Sequence, residues 1–124
     1  MKILLVDDSA VMRRIQKKSL ADLGYTDVIE ADSALSAQVK LEGTRVDLIL
    51  LDWNMPGMDG LTFLKTIKAQ GVETPVIMVT TEAQNDNIVA ASQAGAAGYV
   101  VKPFNSEILQ KTIQDVLQKA SAQA

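Results

Sequence analysis

The 124-residue sequence has no cysteine and no histidine. The first absence excludes disulfides, thiolate nucleophiles and cysteine-ligated metal. The second removes serine–histidine and cysteine–histidine catalytic pairs, and with them the commonest zinc ligand. Any metal held by this chain must sit on oxygen. Aromatic residues make up only 4% of the chain against 48% hydrophobic, so the core must be aliphatic. Basic charge is also short: 12 Lys and Arg face 15 Asp and Glu, a net charge of −3. Nucleic acid and anionic membrane therefore have no electrostatic hold on it. No stretch approaches the roughly 20 apolar residues of a membrane span. The opening "MKILLVDD" is too short in its apolar part for a secretory signal. A cytoplasmic location is expected.

What is present is an alternation. Short apolar runs occupy residues 2–6, 27–31, 47–51, 75–80 and 98–101. Segments of helical period lie between them. The first helix carries Val11, Met12, Ile15, Leu20 and Leu23 on one side, with Gly24 as its stop. Asp32 or Ser33 caps a second, through about Leu41. Gly60 to Gln70 forms a third, closed by Gly71, and about Gln84 to Ala94 a fourth, closed by Gly95. Asn105 or Ser106 opens a fifth, carrying Ile108, Leu109, Ile113, Val116 and Leu117. Met12, Met55, Met58 and Met78 read as packing residues. One domain over 1–124 is expected, ordered to about residue 120, with the tail "SAQA" frayed. Five strands alternating with five helices imply an α/β fold, a parallel sheet with helices on both faces.

In such a sheet, ligands bind beyond the carboxyl ends of the strands. The first strand ends in Asp7-Asp8, the third in Asp52, the fourth in Thr80-Thr81 and the fifth in Lys102-Pro103. The second strand brings nothing comparable and belongs at an edge. Taken singly, each residue has a plain reading as a helix cap, a turn or a solvated charge. Together they are more specific. Three carboxylates sharing a pocket repel one another unless a cation joins them, and all-oxygen ligands suit Mg²⁺. An aspartate beside such a metal can accept a phosphoryl group as an acyl phosphate. The cation, the Lys102 ammonium and the Thr80 hydroxyl would meet its oxygens.

The acidic pair, "LLLDWNMPGMDG", "VTT" and "VKPF", in this order, resemble the receiver domain of two-component response regulators. The resemblance covers essentially the whole chain and is greatest to the stand-alone chemotaxis members. It implies a flavodoxin-like sheet of strand order 2-1-3-4-5. It also implies that Asp52 is the phosphoacceptor. Asp8, Asp52 and the backbone carbonyl of Asn54 would ligate Mg²⁺, and Asp7 would position a metal-bound water. Lys102, joined to Pro103 by a cis bond, would contact the phosphoryl group. Thr80 and Tyr99 would form the switch, while Asn54, Thr81 and Glu82 would tune turnover. Thr81 departs from the family, which usually has Ala or Gly there, and its branched side chain would crowd Asp52. The implied partners are a histidine kinase as donor and a downstream protein target. The flagellar motor switch protein and a dedicated phosphatase are those a chemotaxis role would add. The protein is expected to be a monomer and not an enzyme.

Other classes fare worse. A phosphatase of the haloacid dehalogenase type needs a second Asp two residues after the nucleophile, where this chain has Asn54. A flavodoxin would bring FMN phosphate against Asp7 and Asp8, which would repel it. A phosphorelay shuttle outside chemotaxis shares every motif, and a receiver never phosphorylated would lack one of the strand-end residues.

Overall fold

A computed structural model describes residues 1–122, with side chains through residue 119. The strands are β1 (Lys2–Val6), β2 (Asp27–Ala31), β3 (Leu48–Leu51), β4 (Val76–Thr80) and β5 (Gly98–Val101). They alternate with α1 (Ala10–Asp22), α2 (Ala34–Gly43), α3 (Gly60–Ala69), α4 (Asn85–Gln93) and α5 (Ser106–Ala122). All neighbouring strands pair in parallel, in the order β2-β1-β3-β4-β5. This is the expected architecture, with β2 at the edge.

The apolar runs explain the layering. Side chains alternate across a strand, so a run without polar residues buries both faces. Leu4, Val6, Ile49, Leu51 and Met78 face one way, against Ala37, Phe63, Leu64, Ile67 and Ala91 of α2, α3 and α4. Ile3, Leu5, Leu48, Leu50, Ile77 and Val79 face the other, against Leu20 of α1 and Leu109, Ile113 and Val116 of α5. Every helix but α4 starts where a side chain can satisfy a free N–H group. Ser9 accepts from the Met12 N–H, Ser33 from Ser36, Asp59 from Thr62 and Asn105 from Ile108. After α1 and α3 the chain turns through Gly24 and Gly71, at φ of +94° and +86°, where a side chain would be strained.

Several sequence expectations are corrected. Val11 and Ile15 do not face the core; they are 62% and 49% exposed, and the inward positions of α1 belong to Gln16 and Leu20. The helix is rotated because its inner edge must reach both the core and a buried carboxylate. Ile108, in the first turn of α5, is likewise exposed, and so is Met58 on the β3–α3 loop. Helix α2 runs on to Gly43, and β3 and β4 each begin one residue later than expected. Helix α5 continues through Ala122, past the expected limit; the frayed tail otherwise concerns Gln123 and Ala124, outside the described residues. No described helix is long and apolar enough to cross a membrane.

Candidate functional site

The carboxyl ends of β1, β3, β4 and β5 deliver the expected side chains to one edge of the sheet. At the end of β3 the Asp52 N–H donates to the Val6 carbonyl of β1 at 2.9 Å, fixing the backbone beneath its carboxylate. The following loop then doubles back. The Gly60 N–H donates to the Trp53 carbonyl at 2.7 Å, and a Cβ at Gly60 would lie 2.1 Å from the Asp52 carbonyl oxygen. Only a residue without a side chain can start α3 there. The buried strand thus raises the aspartate, and glycine lets the loop close against its backbone.

Asp7, at the end of β1, is 1% exposed, and both its carboxylate oxygens accept hydrogen bonds. Its Oδ1 accepts from the Ser9 N–H at 2.9 Å. Its Oδ2 accepts from Gln16 Nε2 at 3.1 Å and from Lys102 Nζ at 2.8 Å. Arg13 Nη1 donates to the Asp7 backbone carbonyl at 2.7 Å, while Arg13 Nε pairs with Glu30 on β2 at 3.1 Å. Lys102 follows β5, its bond to Pro103 is cis, and its ammonium lies 3.6 Å from Asp52 Oδ2. Asp8 by contrast is exposed. The repulsion expected from the sequence is therefore only partial, because one lysine serves two of the three acids.

Asp7, Asp8 and Asp52 each offer a carboxylate oxygen within 4.8 Å of the others. Three acids and one lysine leave a formal charge of −2 on hard oxygen donors, which suits a divalent cation of the Mg²⁺ or Ca²⁺ kind. The Asp52 carboxyl is pushed above its ordinary pKa of 3.8, first by burial. Lys102 opposes that rise, Asp7 adds to it, the Asn54 backbone N–H opposes it and Asp8 adds to it. An extra cation would relieve the same stress.

On the other side of Asp52, Thr80 is fully buried, and its Oγ1 accepts from the Glu82 N–H at 3.3 Å. The Tyr99 hydroxyl of β5 donates to the Glu82 carbonyl at 2.5 Å. Burial, and then the Glu82 carboxylate, raise the Tyr99 pKa. The Glu82 carboxylate accepts from Asn54 Nδ2 at 3.1 Å and from Asn87 Nδ2 of α4 at 3.3 Å. Asn54 and Glu82 are thus one bridge across the mouth of the site, and Thr80 and Tyr99 meet at the same residue. Thr81 is exposed beside them.

Sequence reading missed Gln16, Ser9 and Arg13 as parts of the site. Gln16 stands one helical turn before Leu20, but only the structure shows that this is the buried face of α1. A buried amide there needs a partner, and among the described residues no buried side-chain polar atom lacks one.

The chain is similar to known proteins over nearly its whole length. Residues 3–114 match the response regulator receiver domain family. The chain is 45% identical over 123 residues to the chemotaxis protein CheY of Pseudomonas aeruginosa, covering 98% of this chain and 99% of that protein. A solved structure of CheY4 from Vibrio cholerae superposes with a TM-score of 0.85 at 40% identity, over 93% of this chain and 97% of that one. A CheY-like receiver domain protein from Methanospirillum hungatei gives a TM-score of 0.89 at 31% identity, over 99% and 98%. The likeness extends over the whole sheet that carries the acids, the hydroxyl and the lysine, and so the chain belongs to the response regulator receiver domains.

Proposed function

We propose that Asp52 accepts a phosphoryl group from a histidine kinase, and that the phosphorylated chain controls a downstream protein in chemotaxis, the flagellar motor switch being the candidate. The chain is then a phosphoacceptor and not an enzyme with a substrate of its own. It works as a cytoplasmic monomer, and a phosphatase is a further candidate partner. The observation that carries the reading is the convergence of Lys102, Asp7 and Asp8 on one buried strand-end carboxylate, Asp52.

In the transfer, an Asp52 oxygen forms the new P–O bond while the P–N bond to the donor imidazole breaks, and the imidazole leaves with the electron pair. Lys102, already 3.6 Å from Asp52 Oδ2, is placed to hold an oxygen of the incoming group. Asp8, Asp52 and the Asn54 carbonyl would hold Mg²⁺, with Asp7 holding a water on it. The ion, when bound, neutralises charge on the transferring group. The Thr80 hydroxyl accepts from Glu82 but still has its own proton to give, and a phosphoryl oxygen is its natural acceptor. Movement of Thr80 would disturb the Glu82 backbone that holds Tyr99, and so reshape the face formed by α4, β5 and α5. Asn54, Thr81 and Glu82, at the mouth, would set how fast water removes the group.

One hydrogen bond to a charged group is worth about 1.5–3 kcal/mol, whereas a 1:99 to 99:1 switch needs about 5.5. Partner binding should therefore complete what phosphorylation begins, and each must favour the other equally. The test is labelling with acetyl phosphate and Mg²⁺, mapped by borohydride trapping, in wild type and Asp52→Asn. Pull-downs with and without beryllofluoride then identify the target. Label retained in Asp52→Asn, outside a rescue site such as Asp8, would reject the phosphoacceptor. Capture of a phosphotransfer protein without a flagellar or chemotaxis component would favour a phosphorelay shuttle. Thr80→Ala should keep the label but lose most of the beryllofluoride-dependent gain in target affinity.

A further inference from the structure

We infer that Gln16 is a positioning residue that holds Asp7 in place while Lys102 is shared with Asp52, an inference that rests on the reading of Asp52 as a Mg²⁺-dependent phosphoacceptor. Asp7 is buried, so each of its oxygens needs a donor from the protein. Oδ1 has the Ser9 N–H. Oδ2 has two donors, Lys102 Nζ at 2.8 Å and Gln16 Nε2 at 3.1 Å. Of these two donors, only the lysine also faces Asp52. Lys102 lies between Asp7 and Asp52, and a phosphoryl group on Asp52 would draw the ammonium toward it. Gln16 is 1% exposed, lies mid-helix in α1 and has no second acceptor competing for that amide hydrogen bond among the described residues. Its amide therefore remains on Oδ2 when the lysine moves.

The helix reinforces this hold. Arg13, one turn earlier, donates to the Asp7 backbone carbonyl and is itself braced by Glu30 of β2. Helix α1 thus fixes both the backbone and the carboxylate of Asp7. The amide is also neutral. It orients Asp7 without adding a positive charge that would compete with Mg²⁺, which a lysine at this position would do. A glutamine rather than an aliphatic residue at a wholly buried helix position is explained by this geometry.

The test is Gln16→Met, which keeps length and apolar packing but removes the donor, alongside Gln16→Glu, which places an acceptor against Asp7. Mg²⁺ affinity is read from Trp53 emission, and the phosphorylation rate from acetyl phosphate at saturating Mg²⁺. Melting in EDTA reports folding separately. Loss of such a supporting hydrogen bond typically costs 10–100-fold in metal affinity or activity. Gln16→Met should weaken Mg²⁺ binding and slow the saturated rate by about tenfold, and Gln16→Glu by more. The Gln16→Met effect on rate should grow in a Lys102→Met background, where Gln16 is the remaining side-chain donor to Oδ2. A merely packed side chain would change melting and leave Mg²⁺ affinity and saturated rate within twofold of wild type, and that result would overturn the inference. If Gln16→Met does not fold, the Gln16→Glu comparison decides by the same criterion. If wild type takes no label on Asp52, the phosphoacceptor reading fails, while the Mg²⁺ titration still judges Gln16.

Discussion

Replacing Asp8 by alanine should make the protein more stable without metal and less stable with it. Asp8 is the exposed member of the acidic cluster, and its carboxylate lies within 4.8 Å of those of Asp7 and Asp52. At an intermediate effective dielectric of about 40, each like-charge pair at that separation costs about 1.7 kcal/mol. Lys102 offsets about one of the two pairs. Asp8 also precedes the N-cap of α1, where its charge gains about 0.3–1 kcal/mol from the helix dipole. The remainder is about 1 kcal/mol in favour of Asp8→Ala in EDTA. For a domain of this size that is a rise of roughly 3–5 °C in Tm. With Mg²⁺ at a hundred times its Kd, wild type should gain about 2.7 kcal/mol that the variant loses. The two melting curves should therefore change order between EDTA and excess Mg²⁺, and the EDTA difference should shrink as salt is added. Calorimetry at low ionic strength measures both. An Asp8→Ala protein that melts at or below wild type in EDTA would refute a shared pocket. One that gains as much from Mg²⁺ as wild type would refute the ligand assignment.

Gly60→Ala should destabilise by about 3 kcal/mol or more in urea unfolding, because its Cβ would meet the Asp52 carbonyl at 2.1 Å and backbone cannot give way cheaply; a loss under about 1 kcal/mol would show that the loop is not seated on the strand end. The raised Asp52 pKa means that its stabilising contribution is present below 3.8 and lost as pH rises through the folded value. In EDTA, Asp52→Asn should therefore melt above wild type at neutral pH, and the gain should vanish in acid; a gain independent of pH would mean that charge is not its cause. Thr81→Ala should speed both acetyl phosphate labelling and hydrolysis if the exposed branched side chain screens Asp52; rates within about twofold, roughly 0.4 kcal/mol in barrier, would reject the screen.

The pattern of apolar runs dictates the sheet, its parallel sense and the edge on which the chemistry stands. A run such as Leu48–Leu51 buries both faces only if helices cover both, and a carboxylate ending that run can then lie only at the rim. Capping residues and stop glycines are local chemistry, so most helix ends were legible within one or two residues. The phase of α1 was not. Val11 and Ile15 satisfy the helical period as well as Gln16 does, and hydrophobicity alone favours them for the core. The folded protein turns the helix the other way, because a buried Asp7 needs hydrogen-bond donors from across the chain and α1 is the helix that can bring one. The same holds for the pairing of Lys102 with Asp7, 95 residues apart in sequence, and for the meeting of Thr80, Tyr99 and Asn54 at Glu82. These contacts depend on where separate strands end relative to one another. That register is set by the sum of all the packing, and no local pattern encodes it.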